Sequence, residues 1–193
     1  MTWVIDPAHS QIGFSVKYMM LSNVRGHFTT FSGIVEADDA HPERSSIELT
    51  IDPSSISTNM PAREGHLRSG DFFDVENNPT VTFRSTRIQQ IGEGRFNLVG
   101  DLTIRGITRE VPVDVTYEGA IKDAQGNERR AASATTQFNR KDFGVNWNVA
   151  LEAGGFMVSD QVKIEAEVQL LDKVVVDARL AAQRQKEAAA AKA

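Results

Sequence analysis

The stretch QIGFSVKY, residues 11–18, decides the fold class. Ile12, Phe14, Val16 and Tyr18 fall on one face, and Gln11, Gly13, Ser15 and Lys17 on the other. A period of two is that of a strand with one dry side and one wet side. The alternation recurs along the chain. Ile47, Leu49 and Ile51 alternate with Glu48, Thr50 and Asp52, and Val81 and Phe83 with Thr82 and Arg84. Phe96, Leu98, Gly100, Leu102 and Ile104 form the inner set of a long strand, and Val111, Val113, Val115 and Tyr117 follow. Ala134, Thr136 and Phe138, then Val162, Ile164, Ala166, Val168 and Leu170, complete the series. Turn residues separate these runs: Gly92-Glu93-Gly94, Arg105-Gly106, Gln125-Gly126-Asn127 and Gly154-Gly155. In GHFTTFSGIVEAD, residues 26–38, the spacing of Phe28, Phe31, Gly33 and Val35 slips by one residue, as a β-bulge would make it.

About eight amphipathic strands joined mostly by short turns predict an all-β, antiparallel barrel or sandwich. Strands of about ten residues tilted by about 40° give a barrel roughly 25 Å tall. Small inward residues, among them Gly33, Ser85, Ala134, Thr136 and Ala166, favour a cavity over a filled interior. Two segments depart from the β pattern. MPAREGHLRSG predicts a short helix over about residues 61–69, closed by Gly70, and the Ala-, Lys- and Gln-rich C-terminus predicts a solvated or partner-docked helix. The expected organisation is a barrel domain over residues 3–171 followed by a helical or disordered tail, 172–193.

Composition narrows the function. The chain has no cysteine among its 193 residues, so disulfides, thiolate metal sites and cysteine nucleophiles are excluded. A net charge of −5 argues against nucleic acid and anionic membranes. No run is long and apolar enough for a membrane helix, and the start lacks the pattern of a secretory leader, so a soluble, cytoplasmic protein is expected. The four histidines, His9, His27, His41 and His66, make no close-spaced metal-binding pair. Asp6, His9 and Ser10 read as a hydrogen-bonded turn, since sequence neighbours rarely face each other in an extended segment. In HLRSGDFFD, residues 66–74, a His66–Asp71 catalytic pair is disfavoured because residues five apart across a helix end do not reliably meet. Phe72 and Phe73 point in different directions, so at least one enters the interior.

Five blocks are similar to those of the YceI family of lipid-binding proteins. They are WVIDPAHSQIGFSVKYMMLSNVRGHFTTFSG, SISTNMPAREGHLRSGDFFDVENNPTVTFRST, LTIRGITREVPVDV, TTQFNRKDFGVNWN and GGFMVSDQVKIEAEV. The family's start matches Asp6, His9, Ser10, Ile12, Phe14 and Val16. Its central block matches His66, Leu67, Ser69, Asp71, Phe72, Phe73 and Asp74, and a later one Asn139, Arg140, Asp142, Phe143 and Gly144. Many members carry a histidine where this chain has Tyr18. The resemblance implies an eight-stranded, lipocalin-like antiparallel barrel. Its pore would hold a polyisoprenoid, polyprenyl or isoprenoid-quinone lipid, without catalysis, and without any other cofactor or metal. A homodimer is in keeping with that likeness.

Taken with the residue pattern, the expected apolar lining is Phe14, Val16, Tyr18, Met20, Phe31, Leu49, Phe72, Phe73, Phe83, Phe96, Phe138, Phe143 and Trp147. Arg63, Arg68, Arg140 and Lys141 are the candidates for holding a polar or diphosphate head group. The rival readings are an enzyme using His66, Asp71 or Asp142 on such a lipid, and a packed barrel that serves as an interaction module.

Overall fold

The computed structural model describes residues 1–152 and 154–190. Eight antiparallel strands close into a ring: β1 (Thr2–Ile5), β4 (Phe31–Glu36), β5 (Ser46–Ile51), β7 (Val81–Gly92), β8 (Arg95–Ile104), β9 (Ile107–Lys122), β10 (Glu128–Asn139) and β11 (Val158–Asp172), which returns to β1. Three strands of the ring continue past a break. β2 (Gln11–Tyr18) extends β1 along β11, β3 (Ser22–Phe28) extends β4, and β6 (Ile56–Ser57) extends β5. Helices α1 (Pro61–Arg68) and α2 (Lys173–Ala190) complete the described chain. No described helix is long and apolar enough to cross a membrane.

The residue slip between Phe28 and Phe31 is one of these breaks, not an isolated bulge. The three breaks lie side by side, and each is sealed by short polar side chains. At the first, Asp6 accepts from the Ala8 N–H and opens a 3-10 turn. Meanwhile the Asp6 N–H donates to the Gln169 carbonyl, and the Ser10 hydroxyl accepts the Gln169 N–H, both at 2.9 Å, so the neighbouring strand loses no partner. The Ser55 hydroxyl accepts the Thr30 N–H at the second, and Asp52 caps Ser54 at the third. His9 does face Asp6, 2.8 Å away, because the turn is helical where an extended segment was expected.

True bulges lie elsewhere. The register of β7 against β8 shifts between Ser85 and Arg87, so the inward set passes from Val81 and Phe83 to Ile88 and Gln90. A second shift, at Ala131 and Ala132, leaves Glu118 of β9 unpaired next to Gly119 at φ 115°. Four of the ring strands, β7, β9, β10 and β11, outrun the expected ten residues. β11 has 15, and at roughly 3.3 Å each and a tilt of about 40° the barrel stands roughly 38 Å tall.

At the lower end β6 does not pair with β7, and α1 fills the gap. Arg68 ties the helix down, donating to the Ser54 carbonyl at 2.7 Å and the Ile56 carbonyl at 3.1 Å. Ser69, not Gly70, closes the helix, with its N–H and hydroxyl both on the His66 carbonyl. Arg105, in the two-residue β8–β9 turn, donates to the carbonyls of Gly70 and Phe72. At the upper end the β4–β5 loop reaches over the ring to β10. Arg130 holds Asp39 through two hydrogen bonds, 2.6 and 2.8 Å, while its guanidinium stacks 4.3 Å above the Trp3 ring.

Two outcomes follow from this packing. Gly100 faces the Phe83 ring, and a Cβ there would also lie 2.6 Å from the Arg84 carbonyl oxygen. Gly100→Ala should therefore destabilise the barrel by about 1–3 kcal/mol, lowering Tm by several degrees in a thermal melt. The Arg130 hydrogen bonds hold the Asp39 carboxyl below the ordinary carboxylate range. A depressed folded-state value means the contribution is complete above the unfolded-state value and is lost as pH falls through the folded one. The loop over the upper end should loosen only in acid, and Asp39→Asn should lower its amide protection factors at neutral pH to those of wild type in acid.

Candidate lipid-binding cavity

The inward faces of the ring surround a single continuous cavity of about 1340 Å³. It exceeds the roughly 300–1,000 Å³ usual for small-molecule pockets. Its wall is overwhelmingly aliphatic and aromatic, because the period-two pattern that closes the ring turns every second residue inward. Small wall residues keep it open. Ala134 of β10 pairs directly with Ala166 of β11, and neither side chain reaches far across the bore.

Most of the expected lining is on the wall. Phe14, Val16 and Tyr18 of β2, Leu49 of β5, Phe83 of β7, Phe96 of β8 and Phe138 of β10 all face the cavity. Phe143 and Trp147, from the segment after β10, face it as well. Both Phe72 and Phe73 reach the wall, so the pair in HLRSGDFFD serves the interior twice. Phe73 packs edge-on to Phe28 at 6.0 Å. Phe72 joins His66 and Trp147 in an aromatic cluster whose ring centroids lie 4.7–5.3 Å apart.

Two expected lining residues lie elsewhere. Phe31 is buried in the core next to the strand break and is not on the wall. Met20 projects into solvent from the β2–β3 turn.

The four head-group candidates separate in the same way. Arg63 is on the wall near Met60, to whose sulfur it donates. Arg140 is buried on the wall, with hydrogen bonds to the carbonyls of Ser159, Val145 and Trp147 at 2.7–3.0 Å. Its Nη2 has no hydrogen-bond partner and stands 3.6 Å from Asp160 Oδ1, which also lacks one. Burial draws the Arg140 guanidinium below its ordinary value, against the opposing pull of Asp160. The other two are spent on structure: Arg68 clamps α1, and Lys141 pairs with Asp160 at 3.0 Å, away from the wall.

His66 and Asp71 do meet, at 2.8 Å between Nε2 and Oδ2. The helix ends at Arg68, and the turn stabilised by Ser69 folds Asp71 back beneath the ring, which a helical repeat could not do. Sequence reasoning also missed part of the wall. Trp3 and Ile5 belong to a strand of only four residues, too short to stand out by periodicity. Ile88 is displaced from the earlier alternation by the bulge. Arg130 and Asp39, 91 residues apart, share no local pattern. Two further wall residues carry buried polar atoms without partners, Trp3 at Nε1 and Thr58 at Oγ1.

Comparison with known proteins agrees with this architecture. The family model for the YceI-like domain matches residues 3–170. A UPF0312 protein of Staphylococcus aureus (strain N315) is 38% identical over 168 residues, covering 86% of this chain and 95% of the relative. The crystal structure of Burkholderia cenocepacia BcnA superposes with a TM-score of 0.72 at 26% identity, covering 86% of this chain and 98% of that one. The Campylobacter jejuni YCEI protein gives 0.71 at 28% identity, over 87% and 96%. A polyisoprenoid binding domain from Saccharophagus degradans shares the fold, with a TM-score of 0.65 at 13% identity over 88% and 97%. With the family model covering nearly the whole barrel and the relative matched across almost its full length, the chain belongs to the YceI-like family.

Proposed function

We propose that the protein binds a long-chain isoprenoid lipid, of polyprenyl or isoprenoid-quinone type, in the barrel and carries or stores it without chemical change. The observation that carries this reading is the apolar cavity of about 1340 Å³, larger than a compact metabolite needs. Each buried methylene contributes about 0.8 kcal/mol, so an unbranched run of apolar wall holds a chain without directional bonds. Ordering that chain offsets much of the gain. The fold shared with the S. degradans polyisoprenoid binding domain supports the same ligand class.

A polar head group fits best at the lower end, beside Arg140, Arg63 and Thr58. There Thr58 Oγ1 is buried without a hydrogen-bond partner, and Arg140 Nη2, also without one, has the Asp160 carboxylate 3.6 Å away. A buried donor left unpaired is costly, and a phosphate or quinone oxygen would satisfy it. Tyr18, on the same wall, brings a phenol where many family members have an imidazole.

Organic extracts of the purified protein, or of protein exposed to prenyl lipid in detergent, should yield a long-chain lipid by mass spectrometry. An empty extract after such exposure counts against the proposal. Replacing two of the small wall residues, Ala134→Phe with Ala166→Phe, should cut uptake of a long prenyl chain roughly tenfold or more. Ala166 packs against the core cluster, so the loss of uptake counts for the proposal where circular dichroism shows the fold retained.

The His66–Asp71 contact keeps one enzymatic reading open to test. His66 is packed against two aromatic rings and its hydrogen bond ends on Asp71, which suits a fixed wall residue better than a proton shuttle. Lipid should therefore be recovered unaltered from wild type and from His66→Ala alike. Turnover in wild type that His66→Ala abolishes would replace the carrier with an enzyme.

A further inference from the structure

The β2–β3 turn is apolar where a hairpin tip is ordinarily polar. Met19, Met20 and Leu21 are 40%, 69% and 83% exposed. Met19 and Met20 also adopt left-handed backbone, φ 50° and 60°. Gly, Asn and Asp fill such positions with less strain and better solvation. Neither local conformation nor solubility accounts for these residues, and exposed apolar groups held in unfavourable backbone mark a contact surface.

The tip does not stand alone. The Met19 N–H donates to the Met157 carbonyl at 2.7 Å, and the Met157 N–H to the Val149 carbonyl at 2.8 Å. These bonds set the tip beside a second turn where Val149 and Phe156 are also exposed. The patch then runs inward, for Tyr18 and Met157, next in sequence to Met19 and Phe156, are on the cavity wall. Apolar side chains thus lie both on the outer tip and on the wall directly beside it.

We infer that this rim docks the barrel on a lipid bilayer, the β2–β3 tip entering the boundary between head groups and acyl chains. Size decides for a bilayer over a protein partner. Five exposed apolar side chains on two turn tips fall well short of the about 20–30 residues a side of a standard protein interface. A small convex apolar tip instead suits shallow insertion of about 5–10 Å. The cation nearest the patch, Lys141, lies 5.5 Å over the Phe156 ring but is paired with Asp160. The chain carries a net charge of −5, so the attraction is chiefly apolar, and docking should withstand salt and prefer zwitterionic to anionic vesicles. The inference rests on the lipid-carrier reading and gives it an entry route: a tail leaving the bilayer beside Met19 meets the wall at Tyr18 and Met157.

The absence of cysteine makes the test direct, since Leu21→Cys accepts a single environment-sensitive fluorophore. Its emission should rise and shift to the blue on adding phosphatidylcholine vesicles, at low and high salt alike. The variant Leu21→Ser with Phe156→Ser alters no wall residue. It should cease to float with vesicles and pass prenyl lipid between them roughly tenfold slower or more, while taking up lipid from detergent as wild type does. A silent fluorophore, or transfer by the variant at the wild-type rate, overturns the docking surface. Failure of wild type to take up lipid from detergent overturns instead the carrier reading beneath it.

Discussion

Closure of the strand ring is the constraint from which the other features follow. A sheet that returns to its first strand pairs its backbone groups internally, and every second side chain must then face one enclosed space. An eight-stranded ring is narrow enough for large side chains to fill. Here Ala132, Ala134 and Ala166 occupy adjoining wall positions on β10 and β11, and the space stays open. The vacancy follows from side-chain size on two neighbouring strands and needs no unusual backbone.

The breaks make that closure compatible with a long cavity. Beyond them β6 parts from β7, and α1 with the HLRSGDFFD turn stands where a strand pair would be. This arrangement brings His66, Phe72 and Phe73 into the wall, while Arg68 and Arg105 clamp backbone carbonyls of the neighbouring turns. A charged and aromatic run that reads like a catalytic cluster is therefore partly masonry. Arg68 and Arg105 hold backbone, while the aromatic residues between them finish the interior.

How far the sequence revealed this depends on the range over which each feature is encoded. Strand faces were legible because alternation is local: Ile12 to Tyr18 and Phe96 to Ile104 sort into inward and outward sets with no knowledge of their neighbours. The breaks were legible only as a slip near Phe28, since their meaning lies in three strands breaking at the same height. His66 and Asp71 were misjudged because a helix repeat says nothing once Ser69 has ended the helix. The partnership of Asp39 with Arg130 was out of reach, as it crosses the barrel end between loops far apart in the chain. Arg68 and Lys141 show the converse limit. A cation beside an apolar run reads as a head-group ligand, yet the Ser54 and Ile56 carbonyls claim one and Asp160 the other.

The two ends of the barrel differ in a way that gives the cavity a direction. The upper end is crossed by a loop fixed through Asp39 and Arg130, with Arg130 stacked on the buried Trp3, so opening it separates a bidentate ion pair and uncovers an indole. The lower end carries Thr58 and Arg140, whose Oγ1 and Nη2 lack hydrogen-bond partners as Trp3 Nε1 does at the upper end, and exposed apolar side chains stand on its turns. Moving a tail through the upper end would break that pair, whereas at the lower rim the exposed side chains of Met19 to Leu21, Val149 and Phe156 offer it apolar contact before it passes Arg63 and Arg140 on the wall. A bound lipid would also raise the stability of the folded state by mass action, and an open cavity is the state that gains most, since its lining lacks contacts that a ligand restores. The features that leave the interior unfilled and those that leave the lower rim greasy are thus two parts of one arrangement, each costing stability or solubility in the empty protein and each relieved where lipid is present.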